Sequence, residues 1–291
     1  MGCLFLVLVF VLQHPIVIFS SHLCRQSQSL ALQKLKQKLA VDDSSSANCE
    51  FNGHFPYPKT LSWNRSTNCC TWDGVTCDRV TGQITGLDLI CSQLHGTIDS
   101  NSSLFKISHL QKLNLAYNDF SPSQISSKFG LFPRLTHLTL SRLGFLGRIP
   151  SQLLNLSKLI SLDLSIGLEE LRFGPHTFKM FLQNLIQLRE LYLTSTYISS
   201  SLLLSGRYFS RTIPKSIGNL IQLNNLRLLS NNFNGSLLST ISNLVQLVEF
   251  DISSNNLTGD IPNIFSNFTK LKSLSLSYNL FSGFFHPQLQ T

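Results

Sequence analysis

The chain has 291 residues, of which 43% are hydrophobic and 13% are charged, and its formal net charge is +8. The hydrophobic content excludes a chain that is disordered by composition, and the charged fraction is well below the usual ~25%. The basic residues are dispersed, with the densest run at Lys34, Lys36 and Lys38. Because nucleic-acid binding needs a clustered basic patch, we expect no nucleic-acid partner; an acidic polysaccharide or an acidic medium fits the charge better.

Residues 1–21 are predicted to be a secretory signal. The opening stretch MGCLFLVLVFVLQHPIVIFSSHL is apolar and ends in small residues near Ser20 and Ser21, as cleaved leaders do. No Lys or Arg lies near its start, Pro15 interrupts it, and its unbroken apolar run from Cys3 to Leu12 is too short to span a bilayer. No second apolar stretch of ~20 residues follows. We therefore expect a secreted, extracellular chain.

Six cysteines remain once the leader and its Cys3 are removed, and all of them precede residue 92. They are Cys24, Cys49, Cys69, Cys70, Cys77 and Cys91. An even number in a secreted chain favours disulfides, although six cysteines allow 15 pairings. The sequence has neither the paired CxxC nor the HxxxH spacing of a zinc site, so we expect no metal.

The segment before the repeats is predicted to contain a helix that covers one end of the core. The stretch SLALQKLKQKLA begins at Ser29 and places Leu30, Leu32, Leu35 and Leu39 among lysines. This is the pattern of an amphipathic helix. A cap of this kind, over residues 22–82, shields the first turn of an open repeat stack.

From residue 83 the chain repeats itself. LTHLTLSRLGFLGRIPSQLLNLSK begins at Leu135, LNNLRLLSNNFNGSLLSTISNLVQ at Leu223 and LVEFDISSNNLTGDIPNIFSNFTK at Leu247. The spacings from 135 to 159, 223 to 247 and 247 to 271 are each 24 residues. The shared pattern LxxLxxLxLxxNxLxGxIPxxLxx is a leucine-rich repeat. We expect about seven or eight coils in an α/β solenoid, a right-handed superhelix with short parallel β-strands on its concave face.

Each conserved-looking feature of the pattern has a physical task. The two leucines of each LxL strand point inward and the residue between them faces solvent. The asparagines after the strands are expected to turn their amides inward and bond the backbone of a neighbouring coil. They are Asn118, Asn231, Asn255 and Asn279. Glycines relieve the following turn, at Gly147, Gly235, Gly259 and Gly283.

Residues 159–222 depart from this pattern. One spacing there is 29 residues, from Leu159 to Leu188, and the next is 35 residues, to Leu223. The asparagine positions hold Gly167 and Thr196. Two interpretations fit: an insertion that forms a ligand-binding bulge, or a degenerate repeat, which we favour. The chain stops at residue 291 inside a repeat, so we expect no C-terminal cap.

The cap residues carry a family resemblance. A leading cysteine, an amphipathic segment, LSWN, CCTWDGVTC and then 24-residue GxIP repeats closely resemble the N-terminal part of plant leucine-rich-repeat receptor proteins. The resemblance is greatest to the receptor-like proteins of tomato leaf-mould resistance, and polygalacturonase-inhibiting proteins share a similar cap. It implies the disulfides Cys24–Cys69 and Cys70–Cys77, which leaves Cys49 to pair with Cys91. Trp63 and Trp72 are then expected to fill the stapled cap.

Six Asn-x-Ser/Thr sequons are candidate glycosylation sites, and glycans at these positions would explain solubility at so low a charge. They are Asn64, Asn101, Asn155, Asn234, Asn256 and Asn267.

Catalytic signals are missing from the sequence. GxSxG, HExxH, P-loop and kinase signatures do not occur, the eight histidines are scattered, and Asp88, Asp163 and Asp251 are interpreted as solvated strand positions. We expect neither enzyme activity nor a cofactor. The candidate ligand-binding residues are instead those predicted to face solvent on the concave sheet, where Tyr and Arg often anchor interfaces. They are Asn114, Tyr117, His137, Arg142, Tyr192, Arg227, Asp251 and Ser275.

The resemblance leaves two classes of function open. The favoured one is an extracellular recognition module in defence or ligand perception, with a protein or peptide ligand on the concave face. If the chain is a fragment of a longer receptor, the family implies a single-pass membrane helix and a co-receptor kinase. The alternative is a secreted inhibitor of cell-wall-degrading enzymes, similar to polygalacturonase inhibitors, or a truncated non-signalling copy.

Overall fold

The fold is described by a computed structural model for residues 24–50, 53–165, 171–174, 176–195, 212–237 and 239–282. The expected signal over residues 1–21 lies outside the described residues, as do Gly167, Thr196 and Gly283.

Short strands and tight turns make up most of the described chain. Its two α-helices are α1 (Gln26–Lys38) and α2 (Thr177–Asn184). Its strands are β1 (Ala40–Val41), β2 (Val75–Cys77), β3 (Ile84–Asp88), β4 (Leu94–His95), β5 (Lys112–Asn114), β6 (Ser123–Gln124), β7 (His137–Thr139), β8 (Phe145–Arg148), β9 (Ser161–Asp163), β10 (Leu171–Arg172), β11 (Glu190–Tyr192), β12 (Asn225–Arg227), β13 (Asn234–Ser236), β14 (Glu249–Asp251), β15 (Asn256–Asp260), β16 (Ser273–Ser275) and β17 (Leu280–Ser282).

One nine-stranded sheet runs along the molecule in the order β16-β14-β12-β11-β9-β7-β5-β3-β2. Its strands β3 to β16 are all parallel, one from each coil, and β2 adds to β3 in the antiparallel sense. Two smaller parallel sheets, β6-β8-β10 and β13-β15-β17, form at the following turn, and β1 pairs with β4. The predicted α/β solenoid is confirmed.

A continuous apolar core fills the space enclosed by the coils. The strand leucines are almost fully buried, as at Leu113 and Leu115, which are 1% and 0% exposed. A single coil has no second face to cover these side chains, so burial comes from the neighbouring coils. Phenylalanines extend the core toward the outer side, where the ring centroids of Phe178 and Phe233 lie 6.0 Å apart. Short 3₁₀ helices such as Ser127–Leu131 and Ser151–Asn155 form that outer side.

The predicted asparagine ladder is present. The side-chain amide of Asn118 donates to the carbonyls of Leu115 in its own coil and Leu89 in the preceding coil, both at 2.7 Å. Asn255 and Asn279 bond backbone groups in the same way, and Asn231 donates to Leu193 and Leu228. Each of these side-chain amides therefore joins two successive coils at the place where the backbone leaves the sheet.

The irregular stretch does not interrupt the sheet. Strand β11 pairs in register with β9 on one side and β12 on the other, so Tyr192 lies between Asp163 and Arg227. Helix α2 occupies the outer side of one long coil, in the position that 3₁₀ helices hold elsewhere. The extra residues are thus accommodated between strands and not within the ladder. Residues 166–170 and 196–211, where an insertion would bulge, lie outside the described residues.

The N-terminal cap is stapled by three disulfides, Cys24–Cys69, Cys49–Cys91 and Cys70–Cys77, which are the pairs that the resemblance implied. Trp63 and Trp72 are each 2% exposed and stack with ring centroids 5.7 Å apart. Their indole N–H groups donate to Asp73 O and Thr67 Oγ1, so both polar edges are satisfied inside the cap.

Helix α1 covers the first coil, with one departure from the predicted apolar face. Leu32, Leu35 and Leu39 are buried, but Leu30 is 46% exposed. Gln28 lies on the buried face instead, where its Oε1 accepts the N–H of Ile84 at 2.9 Å. The prediction for Leu30 was wrong because the helical period groups residues 28, 32, 35 and 39, and leaves residue 30 on the opposite side.

Candidate functional site

The concave sheet presents two rows of side chains that alternate with the buried leucines. We call the residue before each central strand position the first row and the residue after it the second row. The first row is Gly86, Lys112, His137, Ser161, Glu190, Asn225, Glu249 and Ser273. The second row is Asp88, Asn114, Thr139, Asp163, Tyr192, Arg227, Asp251 and Ser275.

Six of the eight candidate ligand-binding residues lie in these rows, as expected. His137 belongs to the first row, and the second row contains Asn114, Tyr192, Arg227, Asp251 and Ser275. All six are at least partly exposed. Because the rows change composition from coil to coil, the sheet offers a surface that is regular in backbone and irregular in chemistry.

Tyr117 and Arg142 were wrongly placed in strands by the sequence reasoning. Both lie in the turn that follows the strand, with φ of 56° and 52°. The left-handed turn recurs in the same position of other coils, at Cys91, Ser195, Ser230, Ser254 and Tyr278. In two successive coils this turn brings Arg142 and Tyr117 together, with the Arg142 guanidinium carbon 5.7 Å from the centre of the Tyr117 ring.

Arg227 is the most constrained cation of the concave face. Its Nε donates to Glu249 Oε1 at 2.6 Å, and its guanidinium carbon lies 5.5 Å from the centre of the Tyr192 ring. The hydrogen bond and charge of Glu249 outweigh partial burial and raise the pKa of Arg227. Burial, together with the charge of Glu190, raises the pKa of the Tyr192 phenol. These contacts fix one aromatic and one cationic group in place before any ligand arrives.

The acidic residues of the second row are not merely solvated strand positions. Oδ1 of Asp88, Asp163 and Asp251 each accepts the backbone N–H two residues later, and Asn114 does the same. These bonds close the turn after each strand. One oxygen is therefore committed locally, and the rest of each side chain faces the concave side.

Asp163 has the most perturbed carboxylate of the two rows. It is half-buried between Thr139 and Tyr192, which are its cross-strand neighbours. Burial raises the pKa of its carboxyl above the ordinary 3.8, because the hydrogen bonds from Ser165 and the charge of Arg227 only partly offset desolvation.

A hollow of about 480 Å³ lies at the N-terminal end of the concave sheet. Its floor is formed by β3, β5 and β7, and β2 of the cap forms one wall. Gly86 lets the cap strand β2 approach β3 closely, because a Cβ at that position would lie 3.0 Å from the Cβ of Thr76. Lys112, His137, Asn114 and Asp88 line it.

His137 has a defined orientation in this hollow. The Thr136 hydroxyl lies 2.9 Å from the carbonyl oxygen of Gln111 and 2.9 Å from His137 Nδ1, so it engages one ring nitrogen of His137. Burial, assisted by the charge of Lys112 and opposed by that of Glu190, lowers the pKa of His137 below the usual 6.5. Nε2 is therefore the ring nitrogen of His137 that remains for a ligand in the hollow.

Charge is segregated along the concave face. Between residues 161 and 282, the described carboxylates are Asp163, Glu190, Glu249, Asp251 and Asp260, and the first four lie in the two rows. Of the described basic residues in the same stretch, only Arg227 lies in a row. In the first three coils the rows carry Lys112, and Asp88 is paired with Lys59 at 3.6 Å. The face is therefore basic at its N-terminal end and acidic beyond it, within a chain of net charge +8.

The sulfurs of Cys24, Cys69 and Cys70 lie within 4.8 Å of one another, which is the spacing of a metal site. All three belong to disulfides, so no thiolate is present to bind an ion.

The six sequon asparagines are exposed on the described surface. None of them belongs to either row, and Asn234 and Asn256 are cross-strand neighbours in the side sheet β13-β15. Glycans at these positions would leave the concave face open.

No helix among the described residues has both the length and the apolar character that a bilayer crossing needs.

The fold, the stapled cap and the exposed parallel sheet together define a leucine-rich-repeat protein. The "Leucine rich repeat N-terminal domain" family matches residues 25–78, and the "Leucine Rich Repeat" family matches residues 246–268 and 270–291. The homologues of this chain are receptor-like proteins of the Cf-9 type.

Two of these relatives come from tomato species. The chain is 40% identical to receptor-like protein Cf-9 of Solanum pimpinellifolium over 227 residues, which is 72% of this chain and 26% of the relative. It is 51% identical to the receptor-like protein Cf-9 homolog of Solanum lycopersicum over 146 residues, which is 50% of this chain and 17% of the relative. The chain thus spans less than a third of the length of the curated relatives that it matches.

Among solved structures, the leucine-rich-repeat ectodomain of the Arabidopsis receptor kinase HAESA is similar, with a TM-score of 0.63 and 25% identity. The match covers 87% of this chain and 41% of the ectodomain, which was solved in complex with an N-terminally extended IDA peptide hormone.

Proposed function

We propose that the chain is part of an extracellular recognition protein that binds an extended peptide or protein segment on its concave sheet, in plant defence or in the perception of an endogenous ligand. The observation that supports this most strongly is the pair of rows, because eight parallel strands present a regular backbone with a different polar or aromatic group in each coil. Arg227 and Tyr192 are preorganised there, which reduces the entropy that a ligand must remove.

The comparisons support the same function. The homologues are receptor-like proteins, and the similar HAESA ectodomain was solved with a peptide hormone bound. The sequence shows no kinase signature, so signalling in a longer form requires a partner, and we propose a co-receptor kinase. The disulfides, the exposed sequons and the predicted secretory signal support the proposed location outside the cell. We propose no catalytic role.

The experiment is a peptide selection followed by mapping. A displayed library of random peptides is selected on the purified, disulfide-intact chain, and the enriched peptides are mapped by hydrogen–deuterium exchange. We expect protection in β5, β7, β11, β12 and β14. The variants Tyr192→Ala and Arg227→Gln should weaken binding, whereas Lys215→Gln, an exposed change on the outer side, should not.

Protection confined to the outer 3₁₀ helices, or failure to enrich any peptide, would contradict the proposal. Inhibition of a fungal polygalacturonase by the purified chain would instead support the secreted-inhibitor alternative. The relatives named above make that outcome the less favoured one.

A further inference from the structure

The hollow at the N-terminal end of the concave sheet has the construction of a small binding site. Three strands form its floor, and the cap strand β2 closes one side, since Thr76 lies directly across from Gly86. Gly86, Lys112 and His137 are consecutive members of the first row, and all three line the hollow together with Thr76 of β2.

The hollow offers one cation without a partner. No hydrogen bond or ion pair joins the Lys112 ammonium to any other residue that the structure describes, and the side chain is exposed. The one carboxylate in the lining, Asp88, is already paired with Lys59 and bonded to the N–H of Ile90. The unsatisfied charge of the hollow is therefore positive.

His137 adds a second donor when it is protonated. Its Nδ1 is engaged by Thr136, and both nitrogens of a protonated imidazole carry a proton, so Nε2 is then a donor that a ligand can use. Lys112 and His137 are cross-strand neighbours, and residues so placed can both contact one small group. The charged groups that influence His137 are Lys112 from β5 and Glu190 from β11. Asp88 of β3 also lines the hollow and is paired with Lys59 of the cap.

We propose that the hollow binds a carboxylate of an extended peptide, either an acidic side chain or the terminal carboxylate, between Lys112 and protonated His137. The inference rests on the proposed function and narrows its ligand chemistry. A carboxylate placed there neutralises the repulsion between the two cations, so ligand binding and proton uptake at His137 favour each other. Binding is accordingly tighter in acid than at neutral pH.

Charge along the sheet favours a peptide over an acidic oligosaccharide. Beyond the hollow, a chain of uronic acids that continued along the sheet would meet Asp163, Glu190, Glu249 and Asp251. Among the described row residues from 161 onward, the only opposing cation is Arg227. Like charges placed opposite each other oppose binding. A peptide with an acidic end and a neutral or basic remainder meets complementary charge throughout.

The probe for this site is a synthetic, fluorescein-labelled peptide that carries three aspartates, a Gly-Ser linker of six residues, three lysines and a C-terminal amide. The linker spans ~20 Å when extended, which matches a separation of ~4 coils at ~4.8 Å each. Anisotropy titrations use the disulfide-intact chain at pH ~7.5 and pH ~5.5, on either side of the ordinary histidine pKa. A second peptide with asparagines in place of the aspartates, and a third with asparagines and a free C-terminal carboxylate, separate the two sources of carboxylate.

Lys112→Gln should weaken binding of the aspartate peptide about five-fold, as expected for loss of one partly exposed charged contact. His137→Gln should abolish the tightening between the two pH values. Lys128→Gln is the matched control, because it removes the same charge from an exposed residue of the outer 3₁₀ helix. Thermal melts by circular dichroism check that all three variants retain the fold.

Three results would overturn the inference: Lys112→Gln binding like Lys128→Gln, equal binding of all three peptides, or tighter binding of tri-galacturonate than of the aspartate peptide. No binding of the aspartate peptide at pH ~5.5 counts against it equally. Failure here is distinguishable from failure of the proposed function, because peptides from the library selection would still protect the concave strands β11, β12 and β14.

Discussion

Replacement of Asn118 by alanine tests whether the asparagine ladder stabilises the solenoid. The Asn118 side chain is 2% exposed. Its amide donates to Leu89 O and Leu115 O at 2.7 Å each, and its Oδ1 accepts from Ser92 N at 3.1 Å and Leu94 N at 2.9 Å. Each such bond contributes ~1 kcal/mol net, and water cannot replace them in the core, so Asn118→Ala should lower the free energy of unfolding by ~4 kcal/mol.

The assay is equilibrium unfolding in guanidinium chloride, followed by tryptophan fluorescence. Trp63 and Trp72 are both in the cap, so they report on the end of the solenoid to which Asn118 belongs. Asn114→Ala is the matched control, because Asn114 is partly exposed and its Oδ1 accepts a single local bond from Ala116 N at 3.1 Å. A loss of less than ~1 kcal/mol for Asn118→Ala, or a loss no larger than that of Asn114→Ala, would refute the reasoning.

Asn118→Asp should make the stability of the chain depend on pH. A carboxylate keeps the acceptor for the N–H groups of Ser92 and Leu94 but faces the carbonyls of Leu89 and Leu115 without a proton to donate. Burial and this repulsion raise the folded-state pKa of the new carboxyl above its unfolded value. The variant should therefore gain stability relative to Asn118→Ala as the pH falls, and the same unfolding curves measured from neutral to acid pH would show it.

Three further predictions concern pH, the cap and the surface. Burial raises the pKa of Asp163 above 3.8, so the contribution of this carboxyl group to stability is complete below that value and is lost as the pH rises through the folded-state pKa. Asp163→Asn should therefore stabilise the chain at neutral pH and make the free energy of unfolding depend less on pH over that range. A variant that is destabilised at neutral pH would contradict this. Loss of the Cys49–Cys91 disulfide, with a sequence separation of 42, should lower the free energy of unfolding by ~4 kcal/mol, and loss of Cys70–Cys77, with a separation of 7, by ~2.5 kcal/mol. The longer loop restores more conformational freedom to the unfolded chain. Guanidinium unfolding of the two double-serine variants measures both losses, and the reverse order would contradict this reason. Expression in a eukaryotic secretory host should yield glycans at the six exposed sequons, seen by mass spectrometry before and after glycosidase digestion, and a glycan-free secreted chain would contradict this expectation.

The sequence predicted the repeating parts of the structure well because each of them is decided within one coil or between adjacent coils. The inward leucines, the asparagine amides and the turn glycines recur with a fixed period, and that period predicts the position of each strand and turn. Gly147, Gly235 and Gly259 have φ of 84°, 77° and 82°, the left-handed conformation that glycine adopts without strain. The predicted apolar face of α1 was wrong only at Leu30, because the prediction grouped all four leucines without applying the helical period of 3.6 residues.

The candidate site was predicted less completely. The sequence identified Tyr192 and Arg227 separately, but their stacking depends on β11 and β12 pairing across a spacing of 35 residues that no longer fits the repeat. It treated Asp163 as a solvated position, whereas its neighbours on β7 and β11 half-bury it. Tyr117 and Arg142 were assigned to strands because the pattern does not show where the left-handed turn begins.

The sequence by itself determined the class of fold, because the repeat shows in local periodicity, and its resemblance to a known family implied the disulfides of the cap. Its predictions of seven or eight coils and of a ligand on the concave face come from the same periodicity. Only the tertiary structure decided which side chains lie next to one another on the concave face. The hollow exists because β2 returns from the cap to close one side of Gly86. The charge gradient exists because residues that are 24 to 35 positions apart in sequence become neighbours when the coils stack. The concave surface combines one or two side chains from each coil, so its charge and shape can be described only when the register between all the coils is known.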